Sequence, residues 1–250
     1  MSGGRERRPA GRARSRQPGQ SGQTGQSKRQ AGKQRREVVY GRNPVAEARR
    51  GRRRVLRVWT AEDTDAAELT RIAGSPDHQG VVAEVDPFPY ADPGSLLRSP
   101  DALVVALDQV QDPHNLGAIC RSAEAAGAAG VVIPERRSAA VTAAVAKASA
   151  GAVEHLPIAR VRNLADWLGV AREQGAWIYG ADEKAQASYR SLDFSGRVVL
   201  VLGGEGAGIR PRVASACDGL VKVPTVGRVG SLNVSAAAAV LLFAASRAGA

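Results

Sequence analysis

Three short stretches set polar side chains and glycines into apolar surroundings: "DPHNLGAICRSAEAAG" (112–127), "VLGGEGAGI" (201–209) and "VPTVGRVGSLNVSAAAAV" (223–240). In the first, Asn115, Arg121 and Glu124 interrupt a segment that otherwise wants only small apolar residues. Read alone, Asn115 and Gly117 build the turn into a helix, and Arg121 pairs with Glu124 one turn on. In the second, glycines follow a buried strand and allow close backbone approach to a ligand. A Walker phosphate loop would end in Gly-Lys-Ser/Thr, where this chain has Ile209-Arg210-Pro211. Gly204-Glu205-Gly206-Ala207-Gly208 also lacks the Gly-x-Gly-x-x-Gly spacing of a dinucleotide site. The loop reads as a ligand site of another kind, with Glu205 its odd member. In the third, Ser231 can cap the closing helix, which leaves Asn233 and Ser235 without structural duty. His78, His114 and His155 are scattered, so no metal-ligand spacing is present.

These residues need strand ends to hold them. From "ALVVALD" (102–108) onward, apolar strands alternate with helices: "GVVIP", "AWIYGAD", "RVVLVLGG" and "GLVKVPT" are strands. Helices fall at "LGAICRSAEAAG", "TAAVAKASAGA", "NLADWLGVAREQG" and the closing segment. Strands that are apolar throughout imply a parallel sheet with helices on both faces, whose sites form at the carboxyl ends of the strands.

Upstream, residues 37–87 read as a small α/β unit with a helix after Asn43-Pro44 and strands at Val55–Thr60 and Val81–Val85. Arg42, Arg49, Arg50, Arg52, Arg53, Arg54 and Arg57 lie within sixteen residues, offset only by Glu47, a pattern that favours phosphate contact. The Pro-rich residues 88–101 read as a linker to a domain over 102–250. Residues 1–36 carry eleven Lys or Arg and one acid, nearly all of the net charge of +11. Their Gly, Gln, Ser and Arg content cannot build a core, so a disordered tail that binds a polyanion such as RNA is expected, against a merely solubilising extension. With 44% hydrophobic residues a core is available, yet no apolar run is long enough to span a membrane, and no apolar leader is read. Two cysteines exclude a disulfide scaffold and fit a reducing cytoplasm.

In this order and at these separations, the three stretches resemble the three motifs of the SpoU (TrmH-type) RNA ribose 2′-O-methyltransferases of the SPOUT superfamily. The similarity is nearest to the group acting on guanosine in 23S ribosomal RNA. It covers about residues 102–250, and "YGRNPVAEA … HQGVVAEV" resembles the family's substrate-recognition domain. The stretch between Val55–Thr60 and "HQGVVA" is shorter than is common in the family. The resemblance implies an α/β domain with a C-terminal deep trefoil knot, S-adenosyl-L-methionine as cofactor, RNA as substrate, and a homodimer with sites at the interface. Gly203, Val223 and Leu232 match the cofactor-contacting positions. Asn115, Arg121, Glu205, Ser231 and Asn233 match the polar positions of catalysis, with no metal required. Arg121 is often assigned as the base, although a guanidinium is better suited to holding phosphate and stabilising an alkoxide. A tRNA ribose methyltransferase, a resistance enzyme acting on rRNA, and an RNA-binding factor without catalysis are the alternatives. A nucleotide-cofactor oxidoreductase is disfavoured by the glycine spacing.

Overall fold

In the computed structural model, residues 36–246 are described apart from positions 205, 207 and 229. The basic tail expected over 1–36 therefore lies outside the described residues except for Arg36, and the candidate Glu205 lies outside them too. The first elements are β1 (Glu37–Tyr40), α1 (Arg42–Arg50), β2 (Val55–Thr60), α2 (Ala66–Ala73) and β3 (Val81–Val85). The three strands form an antiparallel sheet in the order β1-β3-β2. The "HQG" stretch builds its connections. Gln79 Oε1 accepts from Arg42 N at the start of α1 (3.1 Å), and His78 Nδ1 accepts from Gly80 N (3.0 Å).

There follow β4 (Leu103–Asp108), α3 (Pro113–Ala125), β5 (Gly130–Pro134), α4 (Ala143–Ala148), β6 (Ile158–Val161), α5 (Leu164–Glu173) and β7 (Ala176–Ala181). The chain ends with β8 (Ala187–Ser188), β9 (Arg197–Gly203), α6 (Pro211–Ala214), β10 (Gly219–Lys222) and α7 (Val234–Ala245). The seven later strands make one parallel sheet in the order β6-β5-β4-β9-β7-β10-β8. Alternation along β4 explains why it is apolar throughout. Leu103, Val105 and Leu107 face the layer of α3, α4 and α7, while Val104 and Ala106 face the layer of α5. The closing helix buries Val234, Ala238, Leu241, Leu242 and Ala245, a stripe at helical spacing, against α3 and β9.

The two sheets share a core. Val39, Val45, Ala83 and Val85 belong to one apolar cluster with Leu116, Ile119 and Val153. Polar contacts reinforce it. Buried Arg53 donates to Glu154, a fully buried carboxylate, and to Glu37 Oε2 at 3.0 Å. Arg52 donates to the carbonyls of Glu154 (3.3 Å) and Leu156 (2.7 Å). Two of the seven clustered arginines thus join the units of the fold instead of facing a phosphate. The stretch expected as a linker is itself packed: Phe88, Leu96 and Leu97 are buried, and Ala91 N donates to Ile158 O (2.8 Å) beside β6. No helix among the described residues is long and apolar enough to cross a membrane.

Candidate active site

Chain order departs from sheet order around β4 and β9. After β4 the chain runs outward through β5 and β6, then crosses to β7, and β9 returns to fill the gap. Crevices of this kind, at the carboxyl ends of strands where the winding direction switches, are where α/β sheets bind ligands. A cavity of about 470 Å³ opens there. Its walls come from the segment after β7 (Asp182, Glu183, Lys184), the glycine loop after β9, the end of β10, and residues 230–237 leading into α7.

The glycine loop is shaped by contact with itself. It folds back so that Gly204 and Gly208 pair as an antiparallel bridge, with Gly208 N donating to Gly204 O (3.0 Å). A Cβ at Gly203 would fall on the backbone of Gly208 and Ile209, so only glycine closes this turn. The loop is anchored by Asp108, a completely buried carboxylate at the end of β4. Asp108 accepts from Arg210 N (2.8 Å) and Arg210 Nε (2.8 Å), and its backbone carbonyl accepts from Gly204 N (2.8 Å). Sequence reading misses this pair because its members are 102 residues apart. Its one signal in the sequence is an acid ending an apolar strand.

The start of α7 corrects one expectation. The cap is Asn233 and not Ser231: Asn233 Oδ1 accepts from Ser235 N (2.8 Å) and from Ser235 Oγ (2.6 Å). Ser231 lies two residues before the cap, exposed, and is left to line the cavity. The other end of the Asn233 amide faces α3, where Nδ2 donates to Asn115 Oδ1 at 3.1 Å. Asn115 is 7% exposed in the first turn of a helix capped by Asp112, whose Oδ1 accepts from His114 N (2.9 Å). Gly117 builds no turn. It lies in α3 where α4 crosses, and a Cβ there would meet the Cβ of Ala148.

Gly203, Val223, Leu232, Ser231 and Asn233 therefore line one cavity, and Asn115 is tied to it through Asn233. Arg121 is not part of that lining. It stands exposed on α3, and no ion pair joins it to Glu124 among the described residues. Asp182, Glu183, Lys184 and Lys222 line the cavity without having been singled out in the sequence. No cluster of metal-ligating residues occurs among the described residues. Burial pushes the thiols of Cys120 and Cys217 up to about 12, so neither offers a nucleophile near neutrality.

Residues 102–243 match the SpoU rRNA methylase family. YacO of Bacillus subtilis (strain 168), assigned to the TrmH family of tRNA/rRNA methyltransferases, is 39% identical over 236 residues, spanning 84% of this chain and 95% of its own length. Among solved structures, the SpoU methyltransferase AviRb from Streptomyces viridochromogenes, in complex with AdoMet, superposes with a TM-score of 0.70 at 30% identity, covering 84% of this chain and 89% of that one. The AdoMet-bound rRNA methyltransferase from Sinorhizobium meliloti gives a TM-score of 0.75 at 26% identity, covering 84% and 87%.

Proposed function

The chain belongs to the SpoU rRNA methylase family, and from that membership we propose that it methylates a ribose 2′-hydroxyl of RNA in the cytoplasm, using S-adenosyl-L-methionine and acting on guanosine in 23S ribosomal RNA. One juxtaposition supports this: the cavity of about 470 Å³ brings Gly203, Val223 and Leu232 together with Ser231 and Asn233. Pockets for cofactors of this size span roughly 300–1,000 Å³, and the lining mixes glycine backbone with a few polar groups, which suits an adenosyl amino acid. Gly203 at the end of β9, Val223 just after β10 and Leu232 just before α7 would hold the cofactor. When bound, it supplies an electrophilic methyl group to the ribose oxygen.

The chain's own residues have three tasks. Asn233, fixed by its cap and by Asn115, presents an amide where the ribose enters. Ser231, beside it, offers a hydroxyl that can accept a hydrogen bond from the ribose 2′-hydroxyl and orient it. Glu205, in the glycine loop, would fix the polar network. Arg121 would hold the adjoining phosphate and stabilise the developing alkoxide, which a permanently charged guanidinium does well. Since Arg121 lies outside the lining of its own cavity, the proposed assembly is a homodimer in which Arg121 of each protomer serves its partner's cavity. A C-terminal trefoil knot is part of the same reading.

Mapping 2′-O-methyl marks in total RNA from a strain lacking the gene tests the reaction and the target together. A mark missing from 23S guanosine and restored by the wild-type gene is expected. A mark missing from tRNA would move the substrate, and an unchanged map would overturn the reading. Arg121→Ala is expected to abolish restoration, and full activity in that variant would remove Arg121 from the mechanism.

A further inference from the structure

At the carboxyl edge of the sheet, on the side of β4 away from the cavity, residues 135–139 form a strap whose role the proposed chemistry leaves open. Its two ends are tied to different strands. Glu135 N donates to Val161 O at the end of β6 (2.9 Å), and Ala139 N donates to Val110 O just beyond β4 (2.9 Å). Ser138 Oγ reaches the same carbonyl at 3.3 Å. Arg160 braces it from below, donating to Glu135 O (3.2 Å) while its guanidinium lies 5.1 Å from the Tyr90 ring centre. Between these ties the strap presents Arg136 and Arg137, both exposed, and Arg162 is exposed at the neighbouring end of β6.

Two features describe these arginines. Elsewhere on this domain Arg172, Arg212 and Arg210 pair with Asp218, Asp166 and Asp108, and Arg197 donates to the carbonyls of Leu97 and Gln174, whereas Arg121 and Arg190 join no ion pair among the described residues. Arg136, Arg137 and Arg162 join no ion pair among the described residues, and Glu135 is the one acid of the strap. Second, Arg137 has φ +58°, the left-handed region that a side chain with a Cβ rarely adopts, and Gln109, the residue before Val110, has φ +63°. The segment 108–110 carries both neighbours: the strap bonds to Val110 on one side, and the glycine loop of the cavity bonds to Asp108 on the other. From β5 to β9 is two strand spacings, about 10 Å, a distance that a nucleotide or two of RNA spans.

We infer that Arg136, Arg137 and Arg162 form a phosphate-binding ridge that holds the RNA backbone beside the cavity, so that the strap fixes which nucleotide reaches Asn233. The inference rests on the proposed RNA methyltransferase function. Its occupant is the phosphodiester backbone of RNA, because three guanidinium groups on one edge match successive phosphates.

The test uses the full chain and total RNA from a strain lacking the gene, and it measures RNA affinity against salt, methyl incorporation, and cofactor affinity. Arg137→Gly removes the charge while relaxing the backbone, since glycine adopts positive φ freely, so the strap keeps its course. Combined with Arg136→Ala, it is expected to weaken RNA binding about tenfold and to lower the slope of log K against log salt by about 1.4, two phosphates at roughly 0.7 each. Affinity for S-adenosyl-L-methionine should not change. R136K/R137K, which keeps the charge, is expected to retain most of the slope. Wild-type protein that binds and methylates RNA, with a charge-removed variant of equal affinity and slope, would overturn the ridge alone. Wild-type protein that takes up neither RNA nor cofactor would overturn the methyltransferase reading and the ridge with it.

Discussion

Asn233 makes two contacts that separate helix formation from chemistry. Its Oδ1 caps α7 and its Nδ2 reaches Asn115 on another helix. Serine caps about as well as asparagine, but it carries no amide and is too short to cross to α3. Asn233→Ser is therefore expected to keep the cap and to cost about 1 kcal/mol for the lost bond to Asn115, while methyl transfer to RNA falls by about a hundredfold, the scale of one positioned polar group. Asn233→Ala should lose the cap as well, about 1 kcal/mol more in urea unfolding. A fully active serine variant would show that the amide takes no part. The sequence singles out this residue for the cavity but assigns the cap to Ser231, because three small polar residues in five leave the helix start ambiguous. Backbone geometry decides it: Asn233 is the last residue before helical dihedrals begin.

Among the elements, the joint between the small sheet and the large one shows which parts of the fold were legible. Strands Val55–Thr60 and Val81–Val85 were readable to the residue, since each is an apolar run bounded by turns. The parallel sheet was readable because its strands are buried on both faces. The ion pair of Arg53 with Glu154 was not, since 101 residues separate the partners and only the fold brings them together. Removing one member should leave a buried charge unpaired. Arg53→Met is expected to cost about 3–5 kcal/mol in urea unfolding, and adding Glu154→Leu should recover much of it. Equal losses in the single and double variants would deny the coupling. A second contact at this joint is pH-sensitive. His155 Nε2 lies 2.8 Å from Glu47 Oε2, and this hydrogen bond, followed by the charge of Arg50, holds the Glu47 carboxyl below its ordinary range. A lowered folded-state value adds stability above the unfolded value near about 4.3 and loses it as pH falls further. In melting curves from pH 3 to 7, Glu47→Gln should lower the melting temperature slightly at neutral pH and converge on wild type toward pH 3, which flattens the acid limb. Parallel curves would mean that the pair contributes nothing.

At the scale of the whole molecule, the proposed homodimer and the charge distribution each make a prediction. If Arg121 serves the partner's cavity, mixing Arg121→Ala with Asn233→Ala protomers, each inactive alone, should restore activity through heterodimers that hold one intact site. Silence of the refolded mixture would confine Arg121 to its own chain. The charge distribution concerns how RNA is found. Residues 1–36 hold eleven basic groups and one acid, which leaves the rest of the chain almost neutral. The folded body therefore has little net field to draw a polyanion from a distance, and its local arginines act only after contact, since screening confines them to about 8–10 Å. The tail is the natural source of long-range attraction. Truncation should stop after residue 35, because Arg36 pairs with Glu84 at 3.1 Å and belongs to the first strand's surroundings. Deleting residues 1–35 is expected to weaken RNA binding at low salt and flatten the dependence of affinity on salt by about 0.7 for each phosphate that the tail neutralises. The turnover rate at saturating RNA should persist, because the cavity and its amides are untouched. Unchanged affinity across the salt series would place all RNA recognition on the folded body, with the strap and the remaining exposed arginines of the small sheet carrying it unaided.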